Sequence, residues 1–100
     1  MFARVSRYEV PTERVDAAPE AFRQAISQIA DLSGLAEAFL LVDADSARVL
    51  TMTLWESRGA MEASRVTASR LRSEAARALE ASVISTDEFE VAVRERGLSS

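Results

Sequence analysis

The stretch Arg48 to Glu56, RVLTMTLWE, constrains the fold of this chain more than any other segment. It alternates with the period of two that a β-strand requires: Val49, Thr51, Thr53 and Trp55 point one way, Leu50, Met52 and Leu54 the other. Both sets carry large apolar groups, so the strand needs cover on both faces. The purely aliphatic set is expected to face helices. The Thr–Thr–Trp set is then expected on a second face that is also partly buried.

The flanking segments supply the partners. Ala36 to Val42 (AEAFLLV) reads as the other arm of a hairpin, joined through Asp43–Ala44–Asp45–Ser46, where Asp side chains can bond their own backbone. Phe2 to Val10 reads as an opening strand that stops at Pro11. Thr12 is placed to cap a helix whose stripe is Val15, Ala18, Phe22, Ile26 and Ile29. Pro19 falls inside that stripe, so either the helix kinks there or a short first turn precedes a main helix from Pro19 to about Asp31. Ser33–Gly34 ends it. Ser57 caps a second helical segment to about Leu79, striped by Met61, Ala68, Leu71, Ala75, Ala78 and Leu79, with a break expected near Ser69. Val83 to Arg94 closes the chain as a long strand, with Phe89, Val91 and Val93 on one face.

This is one α+β domain over residues 1–100, in β-α-β-β-α-β order. Such an order matches the ferredoxin-like arrangement, a four-stranded antiparallel sheet with both helices on one face. With Ala3 and Val5 turned to the helices, the far face would carry Arg4, Ser6 and Tyr8. It would also carry Ala38, Leu40 and Val42, then Thr51, Thr53 and Trp55, then Glu88 and Glu90. That face is too apolar to leave in water and too polar for a simple core. A second copy packed there, enclosing a lined cavity, is the expected solution. A 100-residue domain hides only about 60–70% of its unfolded surface, which also favours a homodimer.

Composition removes whole classes of chemistry. The chain has no Cys and no His, and all 12 of its basic residues are Arg. Disulfides, thiolate nucleophiles, the usual zinc sites, Ser–His–Asp triads and lysine Schiff bases are excluded. A net charge of −4 without a basic cluster argues against nucleic-acid and anionic-membrane partners. No apolar run approaches a membrane span or signal peptide, so the expected location is cytoplasmic.

The opening FARVSRYEV with PTERVD, the segment LTMTLWES and the late strand STDEFEVAVRE together resemble the antibiotic biosynthesis monooxygenase-like family of the dimeric α+β barrel superfamily. The resemblance covers Phe2 to about Glu95. It implies two sheets packed face to face as a dimeric barrel, with a pocket between sheet and helices in each monomer. Family members include oxygenases that act on polyphenols or quinone precursors without metal or flavin, so no cofactor is expected. They also include a haem-degrading branch, which depends on an axial His and an Asn. With neither residue here, haem degradation is rejected.

The Trp at the end of the third strand lies in the family's pocket, and Trp55 matches it. Trp55 either stacks on an aromatic ligand or plugs the core beside the second helix. Tyr8 either donates to a phenolic oxygen or packs at the sheet end. Thr51 and Thr53 offer hydroxyls for substrate binding, although both are also good strand formers. Arg4 is a further candidate for substrate binding, or it pairs with Glu90 across neighbouring strands. A catalytic carboxylate at Glu88 or Glu90 would need a pKa raised by burial. Arg65, Arg70, Arg72 and Arg77 read as a solvated helix face beside Glu62, Glu74 and Glu80. Two functions fit: a cofactor-independent monooxygenase for a small aromatic or polyphenolic compound, or a non-catalytic dimeric protein that binds such a ligand.

Overall fold

A computed structural model describes residues 1–98. Strand β1 (Phe2–Glu9) leads through a 3-10 segment (Thr12–Ala17) into helix α1 (Ala18–Ala30). The hairpin β2 (Leu35–Asp43) and β3 (Arg48–Trp55) follows, then α2 (Arg58–Ala63), α3 (Arg65–Ala78) and β4 (Ser82–Glu90). The sheet order is β2-β3-β1-β4, and all pairings are antiparallel. This is the expected ferredoxin-like α+β fold.

Local chemistry sets most boundaries. Pro19 sits at the second position of α1, where its missing N–H costs no hydrogen bond, so the short-first-turn alternative holds. Thr12 does not cap: it starts the 3-10 segment, whose preceding residue is Pro11 and which has no side-chain cap. Ser57 does cap, its Oγ accepting from the Ala60 N–H at 3.1 Å. In the hairpin turn Asp43 accepts from the Ser46 hydroxyl at 2.7 Å and from Arg48 at 2.8 Å. These bonds hold the exposed Asp43 carboxyl down at about 2.

The helical break falls at Ser64 rather than near Ser69. The Ser64 hydroxyl donates back to the Met61 carbonyl at 2.7 Å, which competes with the ladder and ends α2. Strand β4 ends at Glu90 instead of reaching Arg94, because β1 runs out beside it: Phe2 pairs with Glu90, and the Val91 N–H takes the last partner, the Met1 carbonyl.

The largest correction concerns the faces of the sheet. Trp55, Val49 and Tyr8 are buried in one core with Phe22, Ile29, Met61, Leu71 and Leu79 from the helices. Arg4, Ser6 and Thr53 are buried on the same side. The set expected on the far face therefore lies under the helices. Ala3, Val5, Leu50, Met52 and Leu54 take the other side. Register carries the inversion through the sheet, since Leu40 pairs with Thr51 and Ala38 with Thr53. Counting aliphatic residues misjudged the sides because both are apolar. The helices take the face that carries Arg4 and Trp55.

Gly34 sits where β2 begins, at φ +83, beside Ala60 of α2. A Cβ there would run into the Ala60 Cβ. Gly34→Ala should combine a disfavoured backbone with a clash and cost about 1–3 kcal/mol. Thermal unfolding should show a Tm lower by roughly 5 °C or more.

Candidate functional site

A narrow cleft opens between the sheet and the helices. Phe22, Ala25, Ile26 and Ile29 of α1 form one wall, Ala68 and Arg72 of α3 another. Arg4, Ser6 and Tyr8 of β1, with Thr51 and Thr53 of β3, make the floor. The helix stripe read from sequence explains the apolar wall. The floor is polar because residues two apart on β1 and β3 share a face, and here those are hydroxyls and one guanidinium. Cavity volume is only about 20 Å³, room for about one ordered water.

Tyr8 stacks edge-on against Phe22, ring centroids 5.0 Å apart, and its hydroxyl shares a 3.0 Å hydrogen bond with Thr51 Oγ1. Burial pushes the phenol above its usual value, so the group is neutral at pH 7 and can donate. Trp55 is placed differently. It is 0% exposed and lies one layer behind the cleft lining, its Nε1 donating to Thr53 Oγ1 at 2.9 Å. Trp55 therefore reaches the cleft only through Thr53.

Arg4 is 4% exposed and fully engaged. Its guanidinium donates to Glu88 at 2.9 and 3.1 Å, to Ser64 Oγ at 3.0 Å and to the Met61 carbonyl at 2.8 Å, with the Trp55 ring centroid 5.7 Å away. Its partner is Glu88 and not Glu90, because the register sets Arg4 opposite Glu88 and leaves Glu90 beside Phe2. Glu88 also takes two hydrogen bonds from Arg65. Those bonds, then Arg4, hold its carboxyl at about 2, the reverse of the raised value that a catalytic acid needs. Among the described residues no cluster of His, Cys, Asp and Glu could hold a metal ion.

Arg72 overturns the expectation of a wholly solvated arginine face. Arg70 does pair with Glu74 at the surface, but Arg72 is part-buried in the cleft wall. The signal was present in the sequence: position 72 falls within the stripe Ala68, Leu71, Ala75 and Leu79.

A buried polar floor under an apolar helical lid, in this topology, agrees with what the sequence comparison finds. The sequence profile of the antibiotic biosynthesis monooxygenase family matches residues 1–76. The chain belongs to that family. No curated protein matches it in sequence. Solved structures share the fold at low identity. A Deinococcus radiodurans protein provisionally assigned to the family superposes with a TM-score of 0.76 at 14% identity, covering 97% of this chain and 100% of that one. Rv0793 of Mycobacterium tuberculosis gives 0.72 at 15%, covering 95% and 98%. SnoaB of Streptomyces nogalater, a cofactor-independent oxygenase, gives 0.67 at 16%, covering 99% and 97%. Among the described residues no helix is long and apolar enough to cross a membrane.

The depressed Glu88 value has a sign. Its stabilising contribution is complete above the usual carboxylate range near 4.5 and is lost as pH falls towards about 2. Glu88→Gln should lower stability at pH 7 and flatten the loss of stability between pH 4.5 and 2. Urea unfolding across that range measures both.

Proposed function

We infer that this protein binds a small planar aromatic compound in the cleft and oxidises it with molecular oxygen, without metal or flavin. The observation that carries the reading is the pairing of an apolar helical wall with a hydroxyl floor built from Tyr8, Thr51 and Thr53. A polyphenolic ring would lie against Phe22 and Ile29, with its oxygen accepting from Tyr8. Family membership and the resemblance to a cofactor-independent oxygenase support the same reading.

The cleft lining contains no carboxylate. The reaction then depends on a substrate acidic enough to lose a methylene proton to solvent at the mouth. The resulting carbanion gives one electron to oxygen, and the radical pair closes a C–O bond as a hydroperoxide. Loss of water breaks the O–O bond and leaves a carbonyl, so one oxygen atom enters the product and the other leaves as water. Tyr8 stabilises the enolate oxygen as a neutral donor, and Thr51 fixes the direction of its hydroxyl. Thr53, held by Trp55, and Arg4 complete the floor. Trp55 positions Thr53 and excludes water beneath it.

The cleft's small volume of about 20 Å³ favours a second reading, a dimeric binding protein without turnover. Oxygen uptake with anthrone separates the two. Turnover is expected, and Tyr8→Phe should lower kcat by about 10- to 100-fold while leaving the fold intact. Anthrone that binds without oxygen uptake would decide for the binding protein.

The inverted sheet supports the reading of a homodimer. Val5, Leu50, Met52 and Leu54 are only part-covered, with Leu41 44% and Phe89 54% exposed on the same side. This face lies opposite the helices and is too apolar for a monomer's surface. A second sheet packed on it would form the dimeric α+β barrel. Light scattering should give twice the 10.9 kDa chain mass. Leu50→Asp should shift the protein to monomer, and a monomeric wild type would refute the pairing.

A further inference from the structure

Beside the cleft lies an open groove of about 440 Å³, lined by Arg4, Arg65, Ser69, Arg72, Thr86, Asp87 and Glu88. Three guanidinium groups face two carboxylates there, in a chain whose net charge is −4. Arg4 and Arg65 are both spent on Glu88. Arg72 is not. It belongs to both the groove and the apolar cleft, and among the described residues it has no hydrogen-bond or ion-pair partner. Tyr8, Arg4 and Glu88 act on it only through space, and partial burial already disfavours its charge.

Partial burial disfavours the Arg72 charge, and its guanidinium meets the open groove without a partner among the described residues. Its location is specific: at the junction where an apolar slot for a ring meets a positive hollow open to solvent. We propose that Arg72 is a recognition residue for a carboxylate on an aromatic ligand, with the ring in the cleft and the carboxylate in the groove. The planar fork of Arg matches a carboxylate in two parallel hydrogen bonds, which an ammonium cannot do. The surplus at the groove is one positive charge, which suits a monoanion rather than a phosphate. Ser69 and Thr86 hydroxyls stand beside it as further donors. The positive hollow would also draw anionic ligands to an otherwise acidic molecule.

The inference rests on the aromatic-cleft reading and names its substrate class as aromatic carboxylates. Calorimetric titration with 2-naphthoate and its neutral isostere 2-naphthamide tests it. Wild type should bind naphthoate about 10- to 100-fold more tightly, the difference expected of a charge-assisted pair. Arg72→Gln should erase that preference, with naphthoate losing far more affinity than naphthamide. Arg72→Lys should keep only part of it, and Arg70→Gln, at the exposed pair, should keep it all. A preference that survives Arg72→Gln overturns the proposal, as does its absence in wild type. If naphthamide binds but naphthoate gains nothing, the carboxylate site alone falls. If neither binds, the aromatic cleft falls with it. Should Arg72→Gln fail to fold, Arg72→Lys decides: an undiminished preference overturns the proposal, and a several-fold loss supports it.

Discussion

The burial of Arg4 is the constraint around which the rest of this structure is arranged. A guanidinium 4% exposed beneath two helices is tolerable only if its donors are matched, and each match ties down a different element. Glu88 anchors β4 to β1. Ser64 and the Met61 carbonyl anchor the junction of α2 and α3. The helical break at Ser64 is thus part of the same network: a continuous helix would leave the Met61 carbonyl satisfied internally and carry the Ser64 hydroxyl elsewhere. A buried ion pair of this kind adds little net stability over an apolar replacement. Its effect is on geometry, because only one register and one helix placement satisfy all four groups.

That network also explains why the sheet presents its polar face to the helices. Once Arg4 is inside, Ser6 and Tyr8 follow by the period of two, and the antiparallel register brings Thr51 and Thr53 beside them. The floor of the cleft is therefore a consequence of strand geometry, and its hydroxyls bond in pairs: Tyr8 with Thr51, Ser6 with Thr86, Trp55 with Thr53. What remains on the opposite side is the aliphatic half of β3. Among the described residues no further element covers it.

Periodicity made the order of elements, the hairpin and its turn, the Ser57 cap and the proline-started helix legible in the sequence, because each depends on neighbours within a few residues. The side of the sheet did not follow from the same evidence. Two apolar faces compete for one helical layer, and the decision lies in Arg4 finding Glu88, 84 residues away. The same limit affected the site. Tyr8, Thr51, Thr53 and Arg4 were recognisable as candidates by their alternation, and all four line the cleft. Trp55 was singled out by its match to the family's pocket tryptophan but lies behind the wall, since filling volume and touching a ligand are different demands on a large ring. Arg72 was hidden by being one of several arginines on a helix, although its place in an alanine-lined stripe set it apart.

Arg4 and Arg72 then show how one residue type serves two purposes. Both are part of the same positive hollow, and burial disfavours a guanidinium that has no partner. Arg4 is compensated within the fold by Glu88, Ser64 and the Met61 carbonyl. Glu88 is hydrogen-bonded by Arg4 and Arg65 together and reaches Arg72 only through space. Arg72 has no hydrogen-bond or ion-pair partner among the described residues and stands beside the apolar cleft. In a protein with no His, Cys or Lys, this guanidinium is the group on which the proposed choice between aromatic ligands rests.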